Sequence, residues 1–169
     1  EFAKITNVIG FDINPERVSM MKNKIDPSNE LVSTDFDNCS IEFTHKIEDL
    51  KEAKFFIVAV PTPIDPSKEP NIKPLISASE TIGKVLKKGD YVVYESTVYP
   101  GCTEEDCIPV LEELSGLKFV KDFKVGYSPE RINPGDKVNI LSSITKVSSG
   151  CDEESSEEIA KTYELVVSA

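Results

Sequence analysis

Apolar residues gather in short runs separated by amphipathic stretches. Val8-Ile9-Gly10-Phe11 closes on Asp12, Phe55 to Val60 closes on Pro61-Thr62-Pro63, and Tyr91-Val92-Val93-Tyr94 closes on Glu95-Ser96-Thr97. Lys124-Val125-Gly126-Tyr127 and Ile144-Thr145-Lys146-Val147 are weaker runs of the same kind. Near-continuous apolar character, rather than alternation, predicts strands covered by helices on both faces. Between the runs, Leu75, Ala78, Ile82, Val85 and Leu86 share one helical stripe over 74–88, with Pro74 in the first turn and Gly89 just past the end. A helix from Thr103 as N-cap to Gly116 as stop has Glu104, Glu105 and Asp106 in its first turn, and Pro109 predicts a kink or a late start. Another helix begins at Pro15, and a last one covers 153–167 with Ile159, Tyr163 and Val166 inward. The polar stretch 24–40 reads as a loop holding at most a short helix. Strand alternating with helix makes this an α/β fold built on a mainly parallel sheet.

The chain of 169 residues fits one domain. Its net charge of −11, with no Lys/Arg cluster, argues against nucleic acid as a partner, because such proteins need a basic stripe to displace counterions. No apolar run is long enough to span a bilayer, and no signal-peptide pattern opens the sequence, so a cytoplasmic protein is expected. Cys39, Cys102, Cys107 and Cys151 form no CxxC pair and lie far in sequence from the single histidine, His45, so no metal site is expected and the cysteines read as free thiols. Cys102, at a helix start, is placed where a helix dipole can lower its pKa.

In an open parallel sheet, ligands gather beyond the carboxyl ends of the strands, so the turns named above carry the candidate chemistry. Asp12 can accept hydrogen bonds from both hydroxyls of an adenosine ribose and would repel a 2′-phosphate, which favours NAD over NADP. It can equally cap the helix at Pro15, a job for which Asn14 competes. Arg17 lies one turn into that helix, within reach of the adenosine or its phosphates. Ser96 and Thr97 offer hydroxyls to a nicotinamide amide, to a reactive water, or to the following helix as caps. In the proline-bounded turn Ser128-Pro129-Glu130-Arg131-Ile132-Asn133-Pro134, Glu130 can orient a water or act as a general base and Arg131 can pair with a charged substrate group; a salt-bridged surface turn is the alternative. The glycine-rich turn GxGxxG that cradles a pyrophosphate occurs nowhere in these residues; with Asp12 as ribose ligand, it is expected about twenty residues upstream of it, together with a first strand.

Four segments, in order, resemble the UDP-glucose/GDP-mannose dehydrogenase family: Val8 to Asn14, Val60-Pro61-Thr62-Pro63, Tyr94 to Thr103, and Tyr127 to Gly135. The resemblance implies a Rossmann-like NAD-binding domain over 1–169, apparently without its first strand and glycine-rich turn. It implies that Asp12 and Arg17 hold the adenosine end of NAD, that Val60, Pro61, Thr62, Ser96 and Thr97 line the dinucleotide, and that Thr97 and Glu130 border the reacting carbon. Thr97 would help place a catalytic water, while Arg131 and Asn133 would border substrate. Members oxidise C6 of a nucleotide sugar to a carboxylate in two steps with two NAD. Pro134 stands where the UDP-glucose enzymes usually carry a second glutamate, and the wording of the last two motifs is similar to that of the UDP-N-acetylhexosamine branch, with galactosamine and mannosamine as the expected sugars and surface polysaccharide as the destination. UDP-glucose or GDP-mannose, and a non-catalytic α/β binding module, are the alternatives. The resemblance further implies that the nucleophilic cysteine, the catalytic lysine and asparagine, the central dimerisation helix and the UDP-binding domain lie beyond Ala169. The piece alone is then expected to be inactive and the full-length protein a homodimer or higher homo-oligomer.

Overall fold

The computed structural model describes residues 1–64, 70–130 and 145–167. Arg131 and Asn133 of the expected substrate site lie outside these residues, as does Ile144. Strand β1 (Val8–Phe11) pairs in parallel with β2 (Ile41–Thr44), and β3 (Phe55–Val58), β4 (Tyr91–Tyr94) and β5 (Lys124–Tyr127) pair in parallel in that order. A two-residue β6 (Ser149–Gly150) adds antiparallel to β5. The strands form two separate sheets, β1-β2 and β3-β4-β5-β6.

Alternation along β4 explains why its run is apolar throughout. Val92 and Tyr94 face a cluster that includes Leu75, Ile82, Ile108, Leu111 and Phe123, whereas Val93 faces Ile159 and Tyr163 on the other side. The first face is covered by α2 (Lys73–Gly83) and α3 (Ile108–Ser115), the second by α4 (Glu153–Glu164). At Gly83 a Cβ would lie 2.9 Å from Leu114 Cβ, so the missing side chain lets α2 and α3 approach closely. The polar tip of Tyr94 is satisfied where it is buried, 2.7 Å from Ser79 Oγ.

Several sequence expectations need correction. The second run stops being a strand at Val58, and α2 stops at Gly83; Val85 and Leu86 are buried in the turns that follow. The fifth run is not a strand over 145–148; pairing moves to Ser149–Gly150, where a small-residue pair fits against β5. Thr103 is not an N-cap. It sits inside a π-helical turn, Thr103–Cys107, that runs into α3, and the irregularity falls just ahead of Pro109, whose missing N–H and ring are poorly accommodated by a regular ladder. Gly116 ends α3 in the left-handed region at φ 69°. β2 was not visible as a run because polar Glu42 and Thr44 alternate with half-buried Ile41 and Phe43.

Candidate functional site

β1 ends on Asp12, and α1 (Pro15–Lys22) begins three residues later. Asn14, not Asp12, is the N-cap: its side chain accepts from the Glu16 and Arg17 amides at 2.8 and 3.3 Å. Asp12 is thereby released from capping the helix. Its Oδ1 accepts from the Asn14 amide at 2.8 Å, and its Oδ2 accepts from Arg17 Nε at 2.9 Å. Each oxygen keeps a lone pair for a further donor. The Asp12 side chain is 25% exposed and the Arg17 side chain 44%, so the pair is reachable from solvent.

Asp12, Arg17, Val60 and Pro61 line one cleft of about 1210 Å³ that runs between the two sheets. Its walls are β1 on one side and β3 on the other, with Pro74, Ala78 and Ile82 of α2 also lining it. The Pro61–Pro63 turn is bound to the turn after β4: Ser96 Oγ donates to Val60 O at 2.6 Å and Thr62 Oγ1 donates to Thr97 O at 2.8 Å. Ser96 is buried and Thr97 exposed. The turn after β5 is held to the same place, with the Ser128 amide on Tyr94 O at 2.9 Å and the Glu130 amide on Glu95 O at 3.1 Å. Asp12 and Arg17 therefore line the cleft from the β1 side and Val60 and Pro61 from the β3 side, and Thr62, Ser96, Thr97 and Glu130 lie in turns hydrogen-bonded around the β3 side. The hydroxyls of Thr62 and Ser96 are spent on backbone carbonyls and act as braces.

Sequence reasoning missed one cluster. Glu95 Oε1 accepts from the Tyr163 hydroxyl at 2.6 Å and lies 3.0 Å from Lys146 Nζ, whose side chain is only 3% exposed and sits 4.9 Å from the Tyr163 ring centre. Burial, then the Glu95 charge, push the Tyr163 phenol far above its ordinary range. The available signal was a lysine inside the apolar run Ile144–Val147 and a glutamate directly on a strand end. Cys102 is corrected too: it is fully buried, and desolvation raises its thiol pKa, outweighing any pull from the helix start. Burial likewise pushes Cys107 up to about 12, so neither thiol is an activated nucleophile. Among the described residues no group of three or more His, Cys, Asp and Glu could hold a metal ion, and no helix is long and apolar enough to cross a membrane.

Comparison with known proteins fits this geometry. The UDP-N-acetyl-D-glucosamine 6-dehydrogenase of Pseudomonas aeruginosa is 53% identical over the whole chain, and the protein CapL of Staphylococcus aureus is 55% identical over 99% of it. The solved structure of UDP-D-ManNAc dehydrogenase from Pyrococcus horikoshii superposes over 97% of the chain with a TM-score of 0.85 at 30% identity. The chain spans about 40% of the length of each of these relatives. The NAD binding domain of the UDP-glucose/GDP-mannose dehydrogenase family matches residues 2–167, and the chain belongs to that family as its NAD-binding domain.

Proposed function

We propose that this domain serves an enzyme that oxidises C6 of a UDP-N-acetylhexosamine to the carboxylate with two NAD. The observation that carries the reading is Asp12, freed from helix capping by Asn14 and presented on the cleft wall with a lone pair left on each oxygen. Two vicinal ribose hydroxyls are the ligand that such a carboxylate suits, and a 2′-phosphate is one that it rejects. Arg17, already oriented by Asp12, adds a cation beside the adenosine end. Val60 and Pro61 carry the cleft wall toward the braced turns, where Thr97 and Glu130 border the reacting carbon. NAD supplies the hydride acceptor. The residues present suit its adenosine and nicotinamide ends; the pyrophosphate cradle is assigned to a glycine-rich segment of a longer chain.

Glu130 then holds or removes a proton at the reacting end, and Thr97 orients the water consumed in forming the carboxylate. Arg131 and Asn133 are assigned to the substrate side. The nucleophilic thiol, the UDP-binding half and the dimer contacts are assigned to the remainder of a full-length homo-oligomer in the cytoplasm, its uronate product feeding surface polysaccharide. Relatives named for the D-gluco epimer reach 53% identity and those named for the manno epimer 37%, so UDP-N-acetyl-D-glucosamine is the substrate to assay ahead of the galactosamine and mannosamine epimers.

The test is NADH formation by the full-length protein on the three UDP-N-acetylhexosamines and on UDP-glucose. Turnover is expected on at least one acetamido sugar, with two NADH per sugar. Asp12→Ala should raise KM for NAD by about tenfold or more, the loss of more than one charge-assisted hydrogen bond. A folded enzyme that turns over only UDP-glucose, or none of the panel, would refute the reading.

A further inference from the structure

Lys146 and Glu95 do not line the cleft, yet the geometry of the pair is costly. The ammonium is buried within ion-pair distance of Glu95, but none of its N–H groups is aligned for a hydrogen bond. Buried ion pairs seldom add stability over apolar residues of the same volume, because desolvating both charges offsets their attraction. Such a pair therefore calls for a reason other than stability.

The location supplies one. Glu95 is the junction of the site: its amide donates to Val58 O at 2.9 Å, its carbonyl accepts from the Glu130 amide at 3.1 Å, and its carboxylate receives Tyr163 from α4 and Lys146 from the segment after β5. That segment is itself tied to the Glu130 turn, since Ser128 Oγ donates to Val147 O at 2.8 Å. The turn from Ser128 to Glu130 is thus bound on one flank to residues 94–95 and on the other to residue 147. Both flanks are clamped by one carboxylate oxygen, Glu95 Oε1.

We propose that Tyr163, Glu95 and Lys146 form a positioning unit that fixes Glu130 at the reacting end of the site. The three do not touch substrate or cofactor; they act through the backbone of Glu95 and the 146–147 segment. The inference rests on the reading of Glu130 as a group at the reacting carbon. A hydrogen bond from Tyr163 and an ion pair with Lys146 on one oxygen define that oxygen's place more tightly than either alone, and a misplacement of about 1 Å at a reacting group can cost about 100-fold in rate.

The experiment uses the full-length dehydrogenase with Glu130→Gln, Tyr163→Phe, the charge-neutral pair Glu95→Gln/Lys146→Met, and Glu130→Gln added to that pair. Glu130→Gln should lower kcat about 100-fold. Tyr163→Phe should lower kcat about fivefold, and Glu95→Gln/Lys146→Met about 10- to 100-fold, with KM for NAD within about twofold of wild type because the Asp12 end is untouched. In the Glu95→Gln/Lys146→Met background, Glu130→Gln should cost less than about tenfold, since a displaced Glu130 has little left to lose. A purely structural staple would lower the active fraction and leave the cost of Glu130→Gln undiminished; that multiplicative result overturns the proposal. So does a kcat within twofold of wild type in Tyr163→Phe, the mildest of the variants. Wild-type kcat in Glu130→Gln itself would instead refute the assignment of Glu130, whatever the other variants do.

Discussion

Asp12 owes its orientation to what its neighbours do. Because Asn14 caps α1, the carboxylate faces the cleft with Arg17 Nε on one oxygen and an amide on the other. The Asp12–Arg17 pair is half exposed and contributes only about 0.2–1 kcal/mol to folding. Arg17→Ala should therefore leave the melting temperature nearly unchanged while weakening NAD binding by the full-length enzyme. Asp12→Ala should also lower the preference for NAD over NADP by about tenfold or more, read as the ratio of kcat/KM values, because the repulsion of a 2′-phosphate is lost. An unchanged ratio would place the ribose elsewhere. The surroundings of Asp12 were legible in the sequence because its hydrogen-bond partners, Asn14 and Arg17, are its neighbours along the chain. The Tyr163–Glu95 contact joins residues 68 positions apart, and nothing local announces it. Packing sets a second limit at this level. A Cβ on Gly126 would overlap Ile159 Cδ1 and Ser149 O. Gly126→Ala is expected to destabilise the domain by about 1–3 kcal/mol, seen in urea melts, since strand and helix must part to admit a methyl group.

β5 and α4 are joined by charge as well as by apolar contact. Asp152 caps α4, its Oδ1 accepting from the Ser155 amide at 2.9 Å, and it pairs with Lys124 of β5. The Lys124 ammonium, then the Ser155 donors, lower the Asp152 carboxyl from 3.8 to about 2. A carboxylate depressed in the folded state contributes stability that is present above its ordinary pKa and is lost as pH falls through the folded value. Thermal melts of wild type and Asp152→Asn should therefore differ by a constant amount above about pH 5, and the gap should close between about pH 4 and pH 2. A gap that persists at pH 2 would uncouple Asp152 from Lys124. Elements of this kind were readable where one physical signal dominated: the apolar runs of β3 and β4, the stripe of α2, Gly116 at the end of α3. β2 was not readable, because a half-exposed strand of four residues alternates like a turn-flanked loop. The end of α2 was misplaced because Val85 and Leu86 stay buried after the helix has stopped, so burial continued the stripe that hydrogen bonding had abandoned.

The two sheets face each other across the cleft with edges that match. The Val8 and Asp12 amides donate to Ser40, just before β2, and to Thr44 at its end, so by strand alternation Ile9 and Phe11 turn their backbone groups toward the cleft. The Lys54 and Val58 carbonyls accept from the amides of Tyr91 in β4 and Glu95 just past it, so Phe55 and Ile57 turn theirs toward the cleft from the other side. All four residues line it. Two open edges on one apolar slot are a template for a strand, and unpaired backbone groups in such a place are costly when water is excluded. A parallel strand seated here would complete the sheet, with its following turn beside Asp12. Hydrogen exchange discriminates residue by residue. In the 169-residue chain, the Ile9, Phe11, Phe55 and Ile57 amides should exchange much faster than those of Val92 and Val93 in the paired interior. In a protein whose added strand fills the slot, protection of those four amides should rise by about two orders of magnitude or more, while the already paired Val8 amide changes less. Equal protection of the four in both proteins would mean that nothing occupies the slot and that the cleft between the sheets belongs to ligand alone.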